Sequence, residues 1–212
     1  MGRSASCYAL CILAQEEYAK AFLLHLVDQG AIPWTAEVRR LLHDHSSKQL
    51  LAMMMDFLEP DVDDFLAWLQ ERSKANNPIP PHVADAMNIL RYEKVPRERE
   101  WSWVSDEDPP CNVEARKIAD GKVDKRKQDA LYVRIGRNGR VVSNPETITL
   151  ADSAAELERT ERLRRVLFKT GETHAPLNSV EYQKIFYTFK VMFGLCTVEE
   201  YNRNWWAQST VA

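Results

Sequence analysis

A chain of 212 residues with 28 basic and 31 acidic side chains, net charge -3, is long enough to bury the core of one large domain. It is not basic enough overall to bind nucleic acid as a whole, so any such contact has to come from a local patch. Four cysteines, Cys7, Cys11, Cys111 and Cys196, are too few and too scattered for a disulfide framework or a zinc site, and seven glycines supply no phosphate-binding loop.

The first predicted element is a helix over 4–29, free of Pro and Gly and ended by Gly30. Its apolar residues leave no wide polar face, which predicts burial all round. Inside it, "QEEYAK" sets Glu16 and Glu17 four and three residues ahead of Lys20, the favourable order for a helical ion pair. Buried carboxylates are costly unless paired. The arrangement is either a structural ion pair at the edge of a bundle or a polar pocket inside a helical core. Cys7 and Cys11 share a helical face and read as small core residues. "MGRSAS" fits the loose myristoylation pattern at Gly2, but Gly2 runs straight into this apolar helix, which argues against it.

Thr35 is a natural N-cap for a second helix, "AEVRRLLHDHSSKQLLAMMMDFL", continuous to Leu58 before Pro60. Val38, Leu41, Leu42, His45, Gln49, Ala52 and Met55 form its inward stripe, so His45 faces the core or an interface. A third helix is expected over 61–74, with Val62, Phe65, Leu66 and Leu69 inward. A fourth starts at Pro81, carries Val83, Met87 and Leu90, and gives way at Pro96. "EREWSWVSDEDPP" is an irregular connection. Asn112 caps a basic helix over 113–130 in which Gly121 is a weak point.

The pattern then changes. "LYVRIGRNGRVVS" alternates around Asn138-Gly139, a strong hairpin signal. A long amphipathic helix over 150–169 is stopped by Gly171; "VEYQKIFYTFKVMF" forms another, and Thr197 caps a last short piece carrying Trp205 and Trp206. The expected fold is all-α, a helical bundle with a small β-hairpin insertion. It forms a single domain over 1–212, with a helical core at about 4–95 and 113–193, a hairpin at about 131–143 and a short helix at about 197–207. No apolar run reaches membrane-spanning length and no signal-peptide cleavage pattern follows Arg3, which predicts a cytoplasmic protein without membrane contact.

Charge is uneven along the chain. Asp56, Glu59, Asp61, Asp63 and Asp64 stand unopposed, whereas nine basic residues between Arg116 and Arg140 face only Asp120, Asp124 and Asp129. The basic run is either a solvated face or a contact for RNA backbone. In the second case Lys125, Arg126 and Lys127, with Lys48, are the substrate-binding candidates.

"SCYALCILAQEEYAKAFLL" resembles the helix shared by HEPN-superfamily proteins, in which an alanine-rich apolar helix carries a Glu-Glu pair followed by a lysine. More specifically, "LLHDHSSK" and "KQDALYVRIGRNGRVVSNPETIT" are similar to the His-x-x-Lys segment and the lysine, Leu-Tyr-Val, hairpin and Ser-x-Pro stretch of the AbiV family of abortive infection proteins. Such proteins usually have another helix ahead of the Glu-Glu helix. Here either that helix is missing, or the segment 81–95 or another element replaces it. The resemblance implies an all-α HEPN bundle and antiviral defence by arrest of the infected bacterial cell.

It also implies a chemistry. HEPN ribonucleases cut RNA without metal through an Arg-x4-6-His motif, and two protomers bring their motifs together. Arg40-Leu-Leu-His-Asp-His45 fits that spacing, as does Arg39 with His45. Histidine can take the 2′-hydroxyl proton or protonate the leaving oxygen, and the arginine fork can hold the phosphate. The catalytic candidates are therefore Arg40 and His45, with Arg39 and His43 on a shared face, and Glu17 and Lys20 in the polar pocket. On one regular helix Arg40 and His45 point about 140° apart, so they converge only through a distorted turn or a symmetric dimer. The structural alternative is a core histidine bonded to Glu17 or to neighbours of Lys48. His25, His43 and His45 with Glu16, Glu17 and Asp44 show no known metal-ligand spacing, so no metal or cofactor is expected. The expected partners are RNA (tRNA, rRNA or mRNA), a second copy in a homodimer, and a phage-encoded activator or an antitoxin. Against the ribonuclease stands a non-catalytic HEPN binding module that arrests translation or is neutralised by a partner protein.

Overall fold

A computed structural model describes residues 3–58, 80–95, 112–173, 180–197 and 199–200. The helix expected over 61–74, the irregular connection before residue 112 and the piece carrying Trp205 and Trp206 lie outside the described residues.

Helix α1 (Arg3–Asp28) ends where Gly30 adopts a φ of 71°, and two bonds close its terminus: Gly30 N–H to Val27 O at 3.0 Å and Ala31 N–H to Leu26 O at 2.9 Å. The left-handed residue lets the chain reverse while satisfying carbonyls the helix would otherwise leave bare. Burial all round is not observed. Phe22, Leu23 and Leu26 are fully buried, but Leu10, Leu13, Glu17 and Leu24 form an exposed stripe. The spacing of three and four residues along that stripe is one helix face, which no described element covers.

The predicted second helix is two helices. Helix α2 (Ala36–His43) is capped by Thr35, whose Oγ1 accepts from Val38 N–H at 3.4 Å. Asp44 then breaks it with extended backbone and caps helix α3 (His45–Asp56): its Oδ2 accepts from Ser47 N–H at 3.1 Å and Ser47 Oγ at 2.6 Å. Lys94 lies 3.1 Å from the same oxygen. Burial pushes the Asp44 carboxyl up, but the Ser47 bonds and the Lys94 charge outweigh it and hold it below the usual range. The break moves His45 out of the expected apolar stripe to the first turn of α3, where its side chain is half exposed.

Helix α4 (Pro81–Ile89) opens on Pro81 and widens into a π turn, Leu90–Lys94, which delivers Lys94 to Asp44. Asn112 caps helix α5 (Val113–Ala119), accepting from Glu114 and Ala115 N–H. The weak point at Gly121 is a full break, φ 71°, and helix α6 (Lys122–Leu131) follows. Strands β1 (Arg134–Ile135) and β2 (Val141–Ser143) pair antiparallel around Asn138-Gly139. Helix α7 (Leu150–Thr173) runs just past Gly171 rather than stopping there, so that the glycine falls in its last turn. Helix α8 (Val180–Met192) ends on Gly194, and Thr197 and Glu200 then cap each other reciprocally.

The architecture is all-α with a two-stranded hairpin. Helix α1 is central, packed against α7, α3 and α6. The main core joins Phe22 and Leu26 of α1, Leu50 and Met54 of α3, and Tyr182 and Phe189 of α8. Polar clamps hold these helices in register: Gln15 donates to Glu156 and Thr160 of α7, and Arg162 of α7 grips Asp56 of α3. Among the described residues no helix is long and apolar enough to cross a membrane.

Candidate functional site

The two carboxylates of α1 part company: Glu17 is in a surface ion pair with Lys20, and Glu16 is the centre of a buried polar cluster. The Glu16 carboxylate is 1 % exposed, and side chains of two other helices are aimed at it. Its Oε2 accepts from His45 Nδ1 at 2.6 Å and lies 3.3 Å from Lys48 Nζ. Its Oε1 accepts from Lys127 Nζ at 2.7 Å and Gln49 Nε2 at 2.8 Å. Lys127 also pairs with Asp124 Oδ1 at 2.7 Å, and both lysines are buried. The first turn of α3 thus supplies His45, Lys48 and Gln49, and one turn of α6 supplies Asp124 and Lys127.

The site fixes the histidine. A carboxylate only accepts, so Nδ1 carries the proton it donates to Glu16. Lys127 stands 3.3 Å from Nδ1, but its shorter contacts are to the two carboxylates. In the neutral ring the lone pair is then on Nε2, on a side chain 51 % exposed. A buried carboxylate that orients an imidazole and leaves Nε2 free for proton transfer is the arrangement of general acid–base catalysis.

Electrostatics agree with the contacts. Burial pushes the Glu16 carboxyl up, but hydrogen bonds from Lys127, His45 and Gln49 outweigh it and hold it below the usual range. Burial likewise pushes Lys127 down, and its bonds to Asp124 and Glu16 win, raising it. Glu16, His45 and Asp124 each present a ligand atom within 4.8 Å of the others. Lys127, however, already sits against both carboxylates, so a cation there would have to displace an ammonium.

Other expected residues fall elsewhere. Glu17 and Lys20 pair with each other at 2.7 Å on the surface, so Lys20 is the partner of Glu17 and not of the buried Glu16. Arg39, Arg40 and His43 are exposed on α2, and Arg40 pairs with Glu37 at 3.5 Å. Lys48 and Lys127 are inside the cluster rather than on a solvated basic face. Arg126 bonds Asp152 at 2.8 Å and lies over the Tyr8 ring, and Lys125 is exposed. Asp124 was missed, as was the role of Gln49. The signal for α6 was its periodicity: Val123, Lys127 and Ala130 lie at helical spacing, which puts Lys127 on the apolar side.

The family model HEPN_AbiV, described as AbiV, matches residues 1–165. The chain belongs to the AbiV family of HEPN proteins. No curated protein matches it, and no solved structure does. The AbiV match contains every residue of the Glu16 cluster, together with the α2–α3 elbow and the hairpin. It makes this an abortive-infection protein of HEPN type, the class its Glu-Glu helix resembles.

Proposed function

We propose that this AbiV-family protein is an antiphage effector that arrests the infected cell by cutting RNA of the translation machinery in the cytoplasm without a metal ion. The observation that carries this reading is the 2.6 Å bond to buried Glu16 from Nδ1 of His45, a side chain that is half exposed. Nε2 takes the proton of a ribose 2′-hydroxyl, the oxygen attacks the adjacent phosphorus, and the 5′-oxygen leaves with a proton. The products are a 2′,3′-cyclic phosphate and a 5′-hydroxyl. Arg40 clamps the phosphate across a twofold axis, so the working unit is a homodimer, and a phage-encoded activator or an antitoxin governs it.

Purified protein incubated with total tRNA and ribosomal RNA in EDTA is expected to give fragments ending in 2′,3′-cyclic phosphate. Intact RNA from a protein that still arrests growth would favour the binding module. That second reading has its own support, because Arg40 is paired with Glu37 and is not part of the Glu16 cluster.

Of the RNA-backbone candidates Lys125 and Arg126 are exposed, whereas Lys48 and Lys127 are buried in the cluster. Lys125→Gln is expected to weaken binding of all RNAs alike and to lower the slope of log affinity against log salt by about 1. An unchanged slope would return this segment to a solvated face.

A further inference from the structure

The hairpin between α6 and α7 is built unlike the rest of the chain. Tyr132, Val133, Ile135, Val141 and Val142 are each between 55 and 68 % exposed, and among the described residues the strands pair only with each other, so each has an edge that no described strand covers. Ile135 and Val141 are cross-strand partners, and both are bare. An isolated pair of strands is marginal by itself, and an apolar open edge invites a third strand. The base is nevertheless held firmly. Asp129 of α6 binds Arg134 through two bonds and accepts from Ser143 Oγ at 2.6 Å, so the apolar surface is presented on a fixed mount.

Charge selects the occupant. No acidic residue occurs from 130 to 145, and Arg137 and Arg140 are exposed beside the apolar strands. Two copies of this hairpin would bring arginines against arginines with no carboxylate between them, which disfavours a second copy. RNA would satisfy the arginines and has Tyr132 to stack on, but it gains little from the four bare aliphatic side chains, Val133, Ile135, Val141 and Val142, that make up most of the surface. A polypeptide with alternating acidic and aliphatic residues satisfies both features. We propose that the hairpin is a docking edge for an extended acidic, aliphatic segment of another protein, which adds as a further β-strand with its carboxylates on Arg137 and Arg140. This holds whether or not the protein cuts RNA.

The test is selection of a yeast-displayed library of random ten-residue peptides on the purified full chain. The expected result is enrichment of Asp or Glu alternating with Val, Ile or Leu, with binding weakened about tenfold or more by Arg137→Glu with Arg140→Glu. Val142→Asn, at an exposed position that leaves the helical core untouched, should weaken the same peptides while the helical melt stays unchanged. Absence of any enriched peptide, enrichment without acidic residues, or binding indifferent to the charge reversal would overturn the proposal. So would a dimer that dissociates in Val133→Glu with Val142→Glu, which would make the occupant a second copy. Loss of tRNA affinity in Val142→Asn would make it RNA.

Discussion

Glu16→Gln is expected to cost about 3–5 kcal/mol of stability, read as a lower urea midpoint at an unchanged slope. The substitution is nearly isosteric, so packing is not the cause. It removes the negative charge that neutralises Lys48 at 3.3 Å and Lys127 at 2.7 Å, both buried; Lys127 keeps Asp124, while Lys48 loses its carboxylate. Adding Lys48→Met should therefore recover part of the loss. Glu17→Gln, which breaks only the exposed pair with Lys20, should cost about 0–1 kcal/mol.

The pH dependence follows in sign. Glu16 has a folded pKa below its unfolded value, so its contribution is full above the ordinary carboxylate range and is lost as pH falls through the folded value. Lys127, raised in the folded state, contributes fully below the ordinary lysine range and loses its share as pH climbs through the folded value. Glu16→Gln should flatten the acid limb. Equal losses for the two glutamine variants would mean that the cluster does not hold the fold together.

His45→Ala is expected to do the opposite: cleavage falls by about 10²–10⁴-fold while the melting temperature stays nearly constant. The ring is half exposed, so little packing is lost, and Glu16 keeps both lysines and Gln49. Arg40→Ala should also be inactive and folded. Mixing the two pure variants then distinguishes the architectures. If each site takes its arginine and its histidine from different subunits, a mixed dimer regains one intact pair and part of the activity; if both come from one chain, mixing restores nothing. A His45→Ala protein that still cuts RNA at the normal rate would remove histidine from the chemistry.

Helical periodicity and caps made the all-α fold legible, as did the Asn138-Gly139 hairpin, because those signals are local. That a carboxylate on α1 needs partners was legible too, since two adjacent carboxylates in an apolar helix demand them. Which partners they find was not. Pairing rules within a helix see Lys20, three and four residues away, whereas the ammonium groups on Glu16 come from other helices, that of Lys127 from 111 residues away in sequence. Lys127 also hid inside a basic run, where only the spacing from Val123 and to Ala130 marked it as inward. Asp44 carries a cap signal toward Ser47 that the apolar stripe on either side masks; reading through it puts His45 on a stripe facing the core or an interface, and the structure leaves its side chain half exposed.

The way the Glu16 cluster is drawn from distant parts of the chain also sets an order of assembly during synthesis. His45 and Gln49 reach Glu16 over separations of 29 and 33 residues, so that much of the site can close as soon as α3 has emerged from the ribosome. Lys127 and Asp124 arrive only with α6, on the far side of Gly121. Until then a nascent chain holds a carboxylate with one ammonium in place of two, and the loop that must close to bring the second is long and entropically costly. Each newly made molecule therefore completes its site only once α6 has been made, a built-in delay for a protein whose proposed target is the machinery that makes it.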